Sequence, residues 1–216
     1  AAPAYAGIPV THRDFASSFH VITGHESADK TGLVLDYATL AKEEGTLVFL
    51  MGLKNLPHIA AELIAHGKNP ETPAAVVQSG TTARQRVVTG VLASIADTAR
   101  EAGIETPAIT VVGDVVTLQQ QLFWLEDKPL CGKRVLLTGT KPMCEKQRQV
   151  LAEDGAEVIP FSLIYTKRLQ TPETEAAFAG IAEYTWVVLT SSNGVQFFLE
   201  ELRERCQDIR SLAGVK

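Results

Sequence analysis

Cysteine is scarce in this chain: Cys131, Cys144 and Cys206 are the only three among 216 residues, and no two form a Cys-x-x-Cys pair. An odd, widely spaced set excludes a disulfide framework and a zinc ribbon, and fits a reducing cytoplasm. Long apolar runs are missing too. None approaches the roughly 20 residues that cross a bilayer, so no membrane partner is expected. Excess positive charge is absent, since 20 Lys and Arg face 25 Asp and Glu for a net charge of -5. That argues against a nucleic-acid binder working through a general basic field, yet leaves room for a small anionic ligand held by a few clustered cations. The five histidines show no metal-ligand spacing, so no metal is expected. The opening Ala1-Ala-Pro-Ala-Tyr5 lacks the basic head and apolar middle of a signal peptide, and Met does not stand first. The closing Leu212-Ala-Gly-Val-Lys216 carries no structural stop signal, so a portion of a longer polypeptide is expected.

What the chain does have is apolar content of 45%, enough for one large core or two modest ones. Strand-like and helix-like segments alternate, which predicts an α/β architecture. Strands are expected at 18–23, 46–51, 74–78 and 108–112, with a short one at 86–89. Helices are expected over 35–43, over 92–101 and over 115–125, and from an Asn55 cap, with Pro57 in the first turn, to the stop at Gly67. The polar segment 26–31 reads as a loop. Glu126-Asp-Lys-Pro129 is the best linker candidate, and after it the cycle restarts. Strands are expected at 133–138 and 157–161, a helix at 143–154, a helix opened by Thr171-Pro172, a buried strand at 186–189 and an amphipathic helix at 192–205. Two units follow from this pattern, 1–126 and 127–216.

Two segments carry the chemistry of the first unit. Thr46-Leu-Val-Phe-Leu-Met51-Gly52 is an apolar strand ending in Met-Gly. Gln78-Ser-Gly-Thr-Thr-Ala-Arg-Gln-Arg86 follows a second strand. Both ends offer backbone edges to a flat ligand, with Lys54 and Arg84 close behind. A Met thioether packs well on an aromatic edge, although Met at a strand end more often serves as core filling. Gly80 lets the backbone approach a ligand and take a positive φ, although glycine after a strand is usually a turn residue.

Together with Ala4-Tyr-Ala-Gly-Ile-Pro-Val-Thr-His-Arg13, Thr23-Gly-His25 and Pro107-Ala-Ile-Thr-Val-Val-Gly113, these runs resemble the tetrapyrrole methylase family, in particular uroporphyrinogen-III C-methyltransferase. The resemblance implies the carboxy-terminal lobe of that fold. It implies S-adenosyl-L-methionine as cofactor, with Met51 and Gly80, and also Pro107 and Ala108, in contact with it. Two carbons of uroporphyrinogen III would be methylated to give precorrin-2. Such a substrate carries eight carboxylates, and His12, Arg13, Arg84 and Arg86 are the candidate cations, each with a solvated surface role as the alternative. His25 is a candidate for proton handling; His20, His58 and His66 read as loop or helix-face residues. The family's Gly-x-Gly-Pro-Gly-Asp loop is absent, and so are its second cofactor loop and its catalytic acid and base. Catalytic residues are therefore unassigned, and this stretch by itself is expected not to transfer methyl groups. Family analogy implies a homodimer.

The second unit resembles the amino-terminal part of uroporphyrinogen-III synthase, a parallel-sheet α/β lobe. The matching runs are Leu130-Cys-Gly-Lys-Arg-Val-Leu-Leu-Thr138, Leu151-Ala-Glu-Asp-Gly-Ala-Glu-Val-Ile-Pro160 and Val187-Val-Leu-Thr-Ser-Ser-Asn-Gly-Val-Gln-Phe-Phe198. That resemblance implies cyclisation of hydroxymethylbilane with inversion of ring D, without cofactor or metal. Thr190, Ser191, Ser192 and Asn193, between strand and helix, could cradle a substrate carboxylate or simply cap the helix. Lys141 is a second candidate, while Gly139 stands where the family has Arg. The expected whole is a bifunctional enzyme of siroheme, cobalamin or heme synthesis. Its alternatives are a methylase of a later corrin precursor, or a non-catalytic module that holds a tetrapyrrole or adenosyl ligand.

Overall fold

A computed structural model describes residues 1–24, 35–205, 207 and 209–216. Two compact units emerge: Ala1–Leu137 with Glu145–Pro160, and Thr138–Cys144 with Phe161–Lys216. His25 and the expected loop at 26–31 lie outside the described residues, as does Cys206.

The first unit opens with a short helix, α1 (Ala2–Tyr5), and is built on five strands: β1 (Phe19–Thr23), β2 (Thr46–Leu50), β3 (Pro73–Gln78), β4 (Arg86–Val91) and β5 (Ala108–Val112). Their order in the sheet is β1-β2-β5-β3-β4. β1 and β2 are parallel, while β5 runs antiparallel to both β2 and β3, and β4 antiparallel to β3. The alternation of side chains along a strand explains the two cores. Leu47, Phe49, Ala74, Val76 and Val112 face α2 (Tyr37–Lys42), α3 (Leu56–Ala65) and α4 (Ile95–Glu101). Ala75, Val77 and Val111 face the other way, onto Ala6, Ile8, Ala16, Val115 and Val116. With both faces covered, β2 and β3 are apolar almost throughout rather than alternating.

Three sequence expectations are corrected here. Asn55 precedes α3 but makes no side-chain cap; its Nδ2 donates instead to the carbonyl of Gly24, 3.0 Å away. Residues 115–125 are not one helix. Asp114–Leu118 is 3-10 and only Gln119–Leu122, α5, is α-helical, because Val115 and Val116 must turn into the core beneath the sheet. The short strand at 86–89 extends to Val91, six residues that pair with all of β3.

β6 (Arg134–Thr140), α6 (Lys141–Glu153) and β7 (Glu157–Ile164) form a strand–helix–strand unit whose strands make a separate two-stranded parallel sheet. Gly139 has φ 146, and a Cβ there would overlap the Met143 side chain, so a larger residue would disturb the start of α6.

In the second unit, α7 (Pro172–Ala179) starts with a capping box between Thr171 and Thr174, as Thr171-Pro172 suggested. α8 (Ser192–Glu204) follows. Phe178 and Phe198 pack with ring centroids 5.4 Å apart. Buried Glu201 is paired with Arg168 at 3.2 Å and Arg205 at 2.8 Å, which satisfies its charge. The expected buried strand at 186–189 is absent. Trp186 is 63% exposed and Val188 77%, and the backbone here pairs only with Lys216, through its carbonyl to Val187 and its amide to Thr185. An apolar β-branched run needs a neighbouring strand to become one, and none lies beside it among the described residues.

Candidate functional site

Strand register brings four candidate cofactor residues to one end of the five-stranded sheet. Leu50, the last residue of β2, pairs with Ile109, and Ile109 pairs with Val77 near the end of β3. Met51 therefore leaves the sheet beside Pro107 and Ala108, where β5 begins, and Ser79-Gly80 leaves it on their other side. The Ser79 amide donates to the Pro107 carbonyl at 2.8 Å, closing the gap between β3 and β5. Two strand spacings, about 10 Å, separate the β2 and β3 ends. The carboxyl ends of β1, β2 and β3 all point to this edge, where open α/β sheets take their ligands.

Backbone conformation marks the same edge. The non-glycine residues with positive φ among those described are Met51 (56), Ser79 (47) and Thr81 (73). Such residues cost on the order of 1–2 kcal/mol each and persist where surrounding contacts over-determine them. Met51 is 65% exposed, which removes the core-filling alternative for its side chain. Its thioether projects from the strand end with no core role to play. Behind it, Gly24 and Gly52 pack so closely that a Cβ on Gly24 would come within 2.7 Å of the Gly52 Cα.

Gly80 departs from expectation. Its φ is not positive; the left-handed residues are its neighbours Ser79 and Thr81. The missing side chain makes room for α1, since a Cβ on Gly80 would stand 2.5 Å from the Ala2 Cβ. The following loop is tightly bonded. Thr82 donates through its amide to the Ser79 carbonyl at 3.2 Å and through its hydroxyl at 2.8 Å. The Thr81 amide donates to the Gln85 side chain at 2.9 Å, and Gln85 Nε2 donates to the Tyr5 carbonyl at 2.9 Å. Sequence reading missed Ser79 and Thr81; the cluster of small and polar residues flanking Gly80 was the available signal.

The candidate cations divide. Arg84 is exposed on this loop, at the same edge, and has no ion-pair partner among the described residues. Arg86 is engaged elsewhere: its guanidinium donates to the carbonyls of Ala102 at 2.6 Å and Gly103 at 3.2 Å, closing the carboxyl end of α4. His12 and Arg13 belong to a tight turn bridged from His12 to Ala16. The His12 and Phe15 rings meet in a tilted contact with centroids 5.2 Å apart, and Phe15 shares a surface hollow with Gly45 and Gly113. Gly45 precedes β2 and Gly113 follows β5, so this turn sits at the opposite end of the strands, roughly 20 Å from the Met51 edge. The structure does not bring it to the candidate cofactor residues.

In the second unit, Ser191 Oγ accepts from the Gly194 amide at 3.0 Å, and Ser191 is the N-cap of α8. Thr190 and Ser191 are exposed and Asn193 half-buried. The local capping role is thus filled by Ser191, with Thr190 and Asn193 beside it at the helix start. Lys141 is the first residue of α6 and is exposed. Among the described residues, no group of three or more His, Cys, Asp or Glu could hold a metal ion.

The fold is thus a mixed α/β sheet with a ligand-type edge, followed by a strand–helix–strand segment of a second α/β lobe. Residues 1–96 match the family of Tetrapyrrole (Corrin/Porphyrin) Methylases, and residues 145–216 match Uroporphyrinogen-III synthase HemD. The first part of the chain is thus similar to tetrapyrrole methylases and its last part to uroporphyrinogen-III synthases.

Two relatives match nearly the whole chain and a third matches about half of it. A uroporphyrinogen-III C-methyltransferase of Bacillus subtilis is 41% identical over 98% of this chain and 43% of its own length. The porphyrin biosynthesis protein HemD of Ruminiclostridium josui is 37% identical over 100% of this chain and 43% of its own. An S-adenosyl-L-methionine-dependent uroporphyrinogen III methyltransferase of Methanosarcina barkeri is 57% identical over 56% of this chain and 48% of its own. The chain spans less than half the length of each of these relatives.

Proposed function

We propose that this chain is the junction of a bifunctional enzyme that C-methylates uroporphyrinogen III to precorrin-2 and cyclises hydroxymethylbilane to uroporphyrinogen III. The observation that carries the reading is the gathering of Met51, Pro107, Ala108 and the Ser79–Thr81 turn at one sheet edge, inside a segment that matches the methylases. A synthase segment follows it in the same chain. The synthase product is the methylase substrate, so tethering raises the local concentration of the intermediate.

The edge fits half of an adenosyl site. Exposed Met51 offers a polarizable surface to an adenine, and the strand ends at Pro107 and Ala108 offer backbone groups to its edge. Gly80 contributes through backbone position, since α1 fills the space a side chain would need. S-adenosyl-L-methionine, when bound, supplies an electrophilic methyl group. The residues of this chain would hold and orient the adenosyl part, and Arg84 would meet substrate carboxylates at the same edge. His12 and Arg13 would act on a more distant part of the substrate. The glycine-rich half of the cleft, and the acid and base, would come from the rest of the polypeptide.

In the synthase part, Thr190, Ser191 and Asn193 would receive a carboxylate at the start of α8, with no cofactor. Family analogy supports a homodimer. The sparse and widely spaced cysteines support a reducing cytoplasm.

The test is turnover. The intact polypeptide, given uroporphyrinogen III and S-adenosyl-L-methionine, should yield precorrin-2, and the 216-residue stretch should not. Methylation of a later precorrin in place of uroporphyrinogen III, or binding of S-adenosylhomocysteine without turnover, overturns the assignment.

A further inference from the structure

The turn after β3 is held by a residue that is far away in sequence. Within residues 79–85, the amides of Ser79, Thr82 and Gln85 and those of Thr81 and Arg84 find acceptors nearby in the sheet or in the loop itself. The Ala83 amide reaches outside the loop: it donates to Glu157 Oε2 at 2.9 Å, across 74 residues of chain. Glu157 is the first residue of β7, and its other oxygen, Oε1, lies 3.4 Å from Arg134 Nε on β6. One carboxylate therefore joins the methylase turn to both strands of the second sheet. A hollow of about 190 Å³, lined in part by Thr81, Thr82, Ala83, Trp124 and Glu157, lies beside the contact. The polar link thus adds to the bonds within the turn and to the Gln85–Tyr5 bond that also fix it.

We infer that Glu157 is a positioning residue for the methylase cofactor edge, so that the synthase segment forms part of the support of the methylase site. The inference rests on the methylase reading proposed above. Ser79 and Thr81 sit in left-handed backbone, a state that reverts unless its surroundings fix it. Glu157 supplies such a fixing contact from outside the turn. Arg134 holds the carboxylate in place, and a half-buried charge accepting from a backbone amide is among the stronger hydrogen bonds.

The experiment uses the intact polypeptide with Glu157→Ala and Glu157→Gln. Gln keeps a carbonyl oxygen that can accept from Ala83, whereas Ala does not. Glu157→Ala should weaken S-adenosylhomocysteine binding by about 3- to 10-fold in calorimetry, the discount from a fully buried bond reflecting partial exposure. It should also speed amide exchange in peptides covering residues 79–85. Glu157→Gln should restore most of both, and synthase turnover should report that the variant is folded. Equal binding by Glu157→Ala and the unsubstituted protein, or exchange in the turn that does not change, overturns this role alone. Failure of the unsubstituted protein to bind S-adenosylhomocysteine overturns the methylase reading and this inference with it.

Discussion

Ala2 occupies the space that a side chain on Gly80 would need: a Cβ built there stands 2.5 Å from the Ala2 Cβ and 3.1 Å from its Cα. The amino-terminal helix is thereby locked to the turn after β3, and the Gln85 side chain, bonded to the Tyr5 carbonyl, repeats the link. Gly80→Ala should force α1 and the turn apart, at an overpacking cost of about 1–3 kcal/mol. A lowered midpoint in denaturant, with weaker adenosyl binding by the intact protein, is the expected result. An unchanged midpoint would mean that α1 does not seat on Gly80.

Met51→Gly separates backbone from side chain. Glycine relieves the left-handed φ of 56 at that position, so stability should be unchanged or slightly raised. Loss of the thioether should weaken binding of S-adenosylhomocysteine to the intact protein by about 2- to 10-fold. Thermal melts and calorimetry on one sample measure both, and tight binding by the variant would remove Met51 from the site.

Phe49 is fully buried in the larger core, under the helical layer. Phe49→Ala should destabilise the first unit by about 3–5 kcal/mol, read from the denaturant midpoint at constant m value. An effect below 1 kcal/mol would contradict this packing.

Asp36 caps α2, accepting from the Thr39 hydroxyl at 2.6 Å and the Thr39 amide at 3.0 Å. The Thr39 hydroxyl bond, aided by the amide, holds the carboxyl below its ordinary range. A folded-state pKa below the unfolded value of about 3.9 means that the cap stabilises fully above that value and is lost as pH falls through the folded one. Asp36→Ala should therefore lower the melting temperature at pH 7 by about 2–4 °C, with the gap from the unsubstituted protein closing toward pH 3. A gap of the same size at both pH values would show that the ionised cap is not responsible.

Ser191 tests the two roles at the start of α8. Ser191→Ala should cost about 1 kcal/mol of stability through the lost cap, and Ser191→Asp should restore it. If the position also meets a substrate carboxylate, Asp repels that anion, and synthase turnover by the intact protein falls although the cap is back. Full turnover by Ser191→Asp would leave Ser191 with the capping role only.

Local signals in the sequence reached a good part of this fold. The apolar runs that became β2, β3 and β5 are recognisable because strands covered on both faces need apolar residues at every position. The Thr171-Pro172 start of α7 is recognisable because an N-cap followed by proline acts within one turn of backbone. The same signals failed where partners had to come from a distance. Val187 and Val188 have strand-forming side chains but no strand beside them among the described residues. Val115 and Val116 read as helix, yet the core below the sheet draws them into a tighter turn. Asn55 reads as a cap, and its amide reaches Gly24 instead.

The candidate site divides along the same line. Met51 and Gly80 stand out in the sequence because each follows an apolar strand with an unusual side chain or none, and Pro107 and Ala108 because they stand at the entry of another. That they share one edge is a consequence of β5 running antiparallel between β2 and β3, a pairing that no local pattern encodes. His12 and Arg13 looked equivalent to Arg84 as cations, and only the path of the chain across the sheet sends them to its other end. The alternation of strand-like and helix-like segments alone determined the α/β class of the fold. Register, the left-handed turns at Ser79 and Thr81, and the Glu157 contact were decided by tertiary structure, because hydrogen bonds between segments tens of residues apart exist only once the sheet has assembled.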